Sequence, residues 1–498
     1  MKPSNELFQL VKSLTKSEKR YFKLSSSLQA GEKNYMKIFD TIDLQDEYDE
    51  SAIKEKFSGE TFIKHFPSEK NHLYSLILKS LRGFYADKSA AAILQEQIRN
   101  VELLYNKALY SECSKIIKKA KKIAYSYEKF YFLLDLIAWE KCLSEEEFSR
   151  GNFKKDLDLL VQEETDCLEK LRNIAEYQKL YSKINFTIKE AGYSRNKKEQ
   201  QIIDDIASHP LIVGENTALS KKAATACYSI QGLRAITERD VEKSTINFKK
   251  VIKVMEANPF IMKELPQRYI KALNAVMFDC MNNRDWNGCF DYIQKMRALN
   301  GKESFSSMHI QLTLFTLTNN AELLILIYTK EYEKATSELI PKIIEGIERF
   351  DGKINKEEEI LFYYNISRAY FGVGDYKKAL KYINIVLNSS ESGLREDVYT
   401  FASLVNLIIH YELGNYDLLE YTIKSTKRYV TKKQRNYKFE AVFLKDIKKV
   451  IKIKQSESLS DVFKKFKINI EEVLTDPYEK LAMEYFDFLS WLDAKIKA

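Results

Sequence analysis

In the stretch YYNISRAYFGVGDYKKALKYI, residues 363–383, apolar positions fall at helical spacing on both sides of Gly374-Asp375. Tyr363, Ile366 and Tyr370 share one helical face, and Ala379 and Ile383 share another. Gly374 can take the left-handed conformation that ends a helix, and Asp375 can cap the free N–H groups that start the next. The pattern therefore predicts two helices joined by a tight turn.

The pattern recurs. Aligned on the residue after each turn, Tyr110, Phe153, Lys197, Val241, Trp286, Tyr332, Tyr376 and Tyr416 stand 40 to 46 residues apart. Asn152, Asn196, Asp240, Asp285, Glu331, Asp375 and Asn415 precede seven of the eight. A small residue stands three places on in five of them, at Cys113, Ser244, Cys289, Ala335 and Ala379, where it lets the second helix approach the first. Lys197, Asp156 and Leu419 depart from the pattern.

Tyr363, Ile366, Ser367, Tyr370, Ala379 and Ile383 stand where a tetratricopeptide repeat (TPR) has Trp, Leu, Gly, Tyr, Ala and Phe, while Glu391 replaces the closing Pro. The chain thus resembles a TPR-like helical repeat protein, most clearly over 228–430. The resemblance implies an all-α fold, a right-handed α-solenoid of hairpins. The units, of about 44 residues, exceed the usual 34, so helices or connections should be longer.

Both ends leave the period, which suggests residues 1–90 as an N-terminal helical domain, 91–430 as the solenoid and 431–498 as a basic helix with capping helices. TKSE at 15–18 matches a capping box, DESAIKEKF at 49–57 opens another helix, and Ser68 is placed to cap a third. In that third helix Leu73, Leu76, Ile77, Leu81 and Phe84 share a face, with Lys70, Asn71, Lys79 and Arg82 outside. Residues 1–90 read either as a cap on the first repeat or as a helix-turn-helix-like module. Their 15 Lys and Arg against 13 Asp and Glu favour the cap, since DNA binding must neutralise several phosphates. At the other end, Asp476-Pro477 starts a helix, and Phe486, Leu489, Trp491 and Leu492 give it an apolar surface that seals the last repeat or binds a partner.

Composition agrees with long helices. Glycine occurs 15 times and proline 7 times in 498 residues, each under half of the usual 7% and 5% or so. Charge is uneven. Residues 421–470 hold 15 Lys and Arg against 4 Asp and Glu, whereas the whole chain is only +8. Lys432, Lys433, Arg435, Lys438, Lys448 and Lys449 form a basic patch within it, and Tyr429, Tyr437 and Phe439 could stack on bases. The competing reading is a solvated face on an ordinary amphipathic helix at FEAVFLKDIKKVIKI.

No metal-ligand spacing, phosphate loop or nucleophile motif is present, so neither a metal, a cofactor nor catalysis is expected. The N-terminus lacks an export signal, and the longest strongly apolar run, LLILIY at 323–328, falls short of a membrane span, so no membrane association is expected. The six cysteines include no CxxC pair, which fits a reducing cytoplasm, and Cys280 and Cys289 read as packing residues.

Binding is the expected function. The resemblance implies a surface along the first helices of the hairpins, with Lys271, Asn274, Asn320, Tyr364 and Arg368 at its inner positions, able to hold a peptide or protein. A peptide-sensing regulator acting through residues 1–90 on DNA or a partner, and RNA binding through 421–470, are the alternatives. Partner identity and oligomeric state are not legible.

Overall fold

The predicted turns form because one backbone device is used again and again. Ala108, Glu128, Arg239, Arg284, Lys330, Gly374 and Gly414 all take positive φ, between 47° and 79°. In each case the next residue donates its N–H five residues back, as in Asp240 N to Ala235 O at 2.9 Å and Asp375 N to Tyr370 O at 3.0 Å. This is the Schellman closure of a helix C-terminus. Only two of these seven left-handed residues are glycine, so five such turns carry no glycine signal.

The computed structural model describes residues 5–27, 34–149, 157–191, 197–214, 216–350, 352–389, 395–432, 438–452, 458–476 and 479–497; among these there is no strand. The chain is all-α. It divides into two compact units, 1–173 and 174–498.

The first unit opens with α1 (Glu6–Ser13), α2 (Lys16–Ser27), α3 (Asn34–Leu44), α4 (Glu50–Lys56) and α5 (Phe66–Phe84) around a core that includes Val11, Ile38, Phe39, Phe66, Leu73 and Ile77. The capping box is reciprocal. Thr15 N donates to Glu18 Oε2 at 2.6 Å, and Glu18 N donates to Thr15 Oγ1 at 3.3 Å. Asp49 Oδ1 caps α4 by accepting from Ala52 N. Two expectations change here. Ser68 is not a cap, because α5 begins at Phe66 with Pro67 in its first turn. Lys70 does not point to solvent but bonds Glu50 Oε2 at 2.6 Å; burial alone would raise the Glu50 pKa, yet bonds from Lys54 and Lys70 bring it down to about 2. On α2, Lys19 and Lys23 are paired with Asp43 and Asp40.

Next come α6 (Ala90–Tyr105), α7 (Tyr110–Ser126) and α8 (Phe130–Ser149), followed by α9 (Leu157–Ala191). The period predicts a turn between a second and a first helix within α9, but the 35 residues run on as one helix. No glycine or proline lies between 157 and 191 to stop it. Asn152, Phe153, Asp156 and Asn196 lie outside the described residues.

The second unit contains α10 (Lys197–Ala207), α11 (Pro210–Val213), α12 (Lys221–Glu238), α13 (Val241–Glu256), α14 (Pro259–Glu264), α15 (Pro266–Asn282), α16 (Trp286–Arg297), α17 (Met308–Tyr328), α18 (Tyr332–Lys334), α19 (Ile340–Phe350), α20 (Lys356–Gly372), α21 (Tyr376–Leu387), α22 (Glu396–Glu412) and α23 (Tyr416–Lys432). Six predicted second-helix starts are observed starts, Tyr110, Val241, Trp286, Tyr332, Tyr376 and Tyr416, and Lys197 is the first described residue of α10. Asp240, Asp285 and Asp375 cap three of those helices through N–H groups three residues on.

From α12 to α23 the hairpins stack in a row. The two helices of each hairpin pack on each other, α18 and the π-helical turn at 335–339 pack on α20, and the first helices α15 and α17, α17 and α20, and α20 and α22 pack on one another. Within this unit the arrangement is therefore a repeat of TPR-like hairpins. The five predicted small residues, Cys113, Ser244, Cys289, Ala335 and Ala379, are all fully buried. Cys113 Sγ and Cys289 Sγ each point at a carbonyl of the preceding helix, on Val101 and Met277. Leu419 fits the same place at 0% exposure.

Two helices depart from plain geometry for legible reasons. A π-helical turn at Ala335–Leu339 links α18 to α19 just before Pro341, whose missing N–H removes a normal helical bond. Helix α17 is long and apolar enough to cross a membrane, yet in this unit it is a core helix packed between α16 and α20. Its buried positions include Thr316, Thr318 and Asn320.

Candidate functional site

The sequence places five residues along the first helices, and the structure gives them different environments. Lys271 on α15 is exposed. Asn274, one turn on, is half-buried, with its Oδ1 enclosed and without a partner among the described residues. Phe278, a further turn along the same face, is 37% exposed and was not singled out by the repeat pattern. It stands eight residues before Trp286, the register that Arg368 holds before Tyr376.

On α17, Asn320 is buried and donates from Nδ2 to Glu358 Oε2 of α20 at 3.3 Å, while its Oδ1 has no partner among the described residues. This side chain ties adjacent first helices together. Asn406 on α22 is likewise buried, its Oδ1 without a partner among the described residues.

Tyr364 and Arg368 on α20 lie at the end of this face, where the chain itself covers them. After α24 (Lys438–Ile451) and α25 (Leu459–Val473), which continue the row, the short helix α26 (Ala482–Tyr485) and the terminal helix α27 (Phe488–Lys497) return to α17, α20 and α22. Between α26 and α27, Phe486 is extended, with φ −158° and ψ 145°.

The return is held by polar bonds at every step. Glu479 accepts from Lys438 N at 2.9 Å and Phe439 N at 3.1 Å, a carboxylate seated at the start of α24 where the helix dipole favours it. Tyr328 donates to Glu484 Oε2 at 3.0 Å, and Tyr364 donates to the main-chain carbonyl of Tyr485 at 2.9 Å. Tyr485 stacks on Phe401 with centroids 4.1 Å apart and donates to Asp397 Oδ2 at 2.7 Å. Glu412 accepts from Trp491 Nε1 and Lys495 Nζ, both at 2.7 Å.

Arg368 sits between the rings of Tyr328 and Tyr364, at 6.0 and 5.9 Å, with Nη1 bonded to Asn365 Oδ1 at 3.2 Å. Both tyrosine hydroxyls are bonded to residues 484–485, and Arg368 itself is buried. Burial pushes the Tyr364 and Tyr485 hydroxyls up, which keeps them protonated as donors. Burial would also raise Asp397, but the Arg395 guanidinium overrides it and holds the carboxyl at about 2. The sequence expects one terminal helix from Asp476 that seals the last repeat; the structure breaks it at Phe486, and α27 packs on α25 while α26 reaches α17, α20 and α22.

The basic stretch divides as well. Lys438 and Lys448 line a groove between α23 and α24, whereas Lys449 is bonded to Asp446 Oδ1 at 2.6 Å. Lys433, Arg435, Tyr437 and Pro477, and the side chain of Lys432, lie outside the described residues. Phe439 cannot stack on a base: it is 1% exposed and packed against Phe443 and Phe488. Tyr429 is half-buried against Tyr399 at 4.8 Å.

No family model and no curated protein matches this chain. Among solved structures, a Rap protein complexed with Competence and Sporulation Factor aligns with 76% of this chain and 97% of its own, at 13% identity and a TM-score of 0.40.

Proposed function

We propose that this protein is a non-enzymatic, cytoplasmic scaffold whose first-helix face binds a peptide or protein segment. One observation carries the reading: at Tyr364 that face already holds the chain's own C-terminal segment, through a hydroxyl bond to the carbonyl of Tyr485 that ends α26 and an edge contact of Phe371 with the extended Phe486. A surface that captures a main-chain carbonyl in this way is suited to a guest that offers the same groups. The C-terminal segment takes α17, α20 and α22, so a guest has the α15 end, where Lys271 and Phe278 are exposed beside the half-buried Asn274.

The test is to pan a displayed peptide library against the full chain and measure enriched peptides by fluorescence anisotropy. Substituting Lys271→Glu together with Phe278→Ala, both exposed, should weaken binding about tenfold or more. Failure to enrich any peptide, or unchanged affinity in the double variant, would overturn the reading. The regulator version, with residues 1–90 on DNA, is not favoured, because Lys19 and Lys23 of α2 are already neutralised by Asp43 and Asp40.

A further inference from the structure

Helices α23 and α24 lie side by side, and the groove between them encloses about 610 Å³. Its lining is organised by helical spacing. On α24, Lys438, Ala441, Lys445 and Lys448 follow one another at three- and four-residue steps, continued by Lys452 just past its end; on α23, Lys424, Lys427 and Thr431 do the same. The floor is apolar, formed by Ile423, Val430, Leu444 and Ile451.

Six lysines therefore rim a hydrophobic floor, with Glu420 the one acidic residue in the lining. Glu420 is engaged at one end, by Lys452 at 3.0 Å and Lys424 at 3.8 Å. Lys427, Lys438, Lys445 and Lys448 form no ion pair among the described residues. Four ammonium groups thus stand over an apolar trough without an ion-pair partner among the described residues, Lys448 acting on Glu420 only at longer range, an arrangement of charge that folding alone does not need.

We propose that this groove is a docking site for an acidic amphipathic helix of a partner protein. The distribution of charge selects that occupant. From Lys438 to Lys452 the rim runs about 20 Å at helical rise. A ligand with a single anionic head would need its lysines clustered at one end; these are spread along both sides. A nucleic-acid strand would supply distributed charge, but among the described residues the lining has no aromatic ring for its bases to stack on. A helix with Leu-type residues at i, i+3 or i+4 and i+7, flanked by Glu or Asp, meets both demands: its apolar ridge fills the trough and its carboxylates reach the lysines. The site is separate from the face of α15 and does not depend on peptide binding there.

The experiment uses the full chain and a fluorescent, roughly 15-residue helical peptide with a Leu ridge flanked by Glu. Its controls are a scrambled peptide of the same composition and a dT strand of similar length. Anisotropy should show saturable binding of the ridged peptide, weakened by salt, and at least about tenfold weaker binding of both controls. The variant Lys427→Glu/Lys445→Glu should lose about tenfold or more in affinity with an unchanged circular-dichroism melt, since neither side chain has a folding partner to lose. No binding of the ridged peptide, equal binding of the scrambled peptide or the dT strand, or unaltered affinity in the folded double variant would each overturn the proposal.

Discussion

Replacing Trp491 tests whether α27 is held to the repeat by specific contacts or merely lies against it. The indole is 5% exposed and makes edge contacts with Tyr411, Phe463 and Phe466 at 6.1, 5.8 and 6.4 Å. Truncating such a ring to Ala costs about 3–5 kcal/mol in transfer and cavity terms. The indole N–H also donates to Glu412, a bond to a charged group worth about 1.5–3 kcal/mol in general. Here the bond counts for less, because Lys495 still serves the other oxygen of Glu412. Trp491→Phe, which keeps a six-membered ring and loses the donor with part of the buried bulk, should therefore cost about 1–2 kcal/mol. Hydrogen exchange followed by peptide is the assay, because it reads local opening of 488–497 separately from the remainder of the unit. Opening of that segment should become roughly 5- to 30-fold more frequent in Trp491→Phe and several hundred-fold or more in Trp491→Ala. Peptides from α25, which packs on α27, should follow, and those from α12 and α13 should not. If the two variants exchange alike, or if 488–497 is unaffected by Trp491→Ala, the tail is not held as argued here.

The remaining predictions concern charge and backbone. Asp397 has its pKa lowered to about 2, so its stabilisation is complete above its unfolded value near 4 and is lost as pH falls toward 2. With Asp397 and Arg395 each about 30% exposed, the loss should be about 1–2 kcal/mol, and urea unfolding at stepped pH should show that Asp397→Asn removes this part of the acid dependence. At Gly374, φ is +79° and an added Cβ would meet nothing within 4 Å, so Gly374→Ala tests conformational strain alone. It should destabilise by about 1 kcal/mol in thermal or urea unfolding, whereas Gly59→Ala, equally open but without positive φ, should be neutral within about 0.5 kcal/mol.

Local chemistry made the repeat legible. Asp240, Asp285 and Asp375 cap helices because a short carboxylate beside three free N–H groups has that effect wherever it occurs, and Cys113, Ser244 and Ala379 are buried because a close helix pair leaves no room for more. The TKSE capping box and the apolar face of α5 were readable for the same reason. The turns at Arg239, Arg284 and Lys330 were placed by the period, since their left-handed residues carry no glycine to announce them.

The site was less legible because it depends on what packs against it. Lys271 could be assigned to a surface by register, but nothing near Tyr364 in the sequence reveals that residue 485 will come to lie on it, 121 positions away. Helix α17 shows the same division: its composition suits a bilayer as well as a protein core, and only its neighbours α16 and α20 decide between them. The basic stretch could be counted from sequence, yet which lysines share a groove depends on how α23 and α24 pack, so Lys445 joins the rim and Lys449 turns to Asp446. Helical periodicity and capping act over a few residues and so are written in the sequence; burial, pairing and the covering of one surface by a distant segment are properties of the packed chain, and tertiary structure decided them.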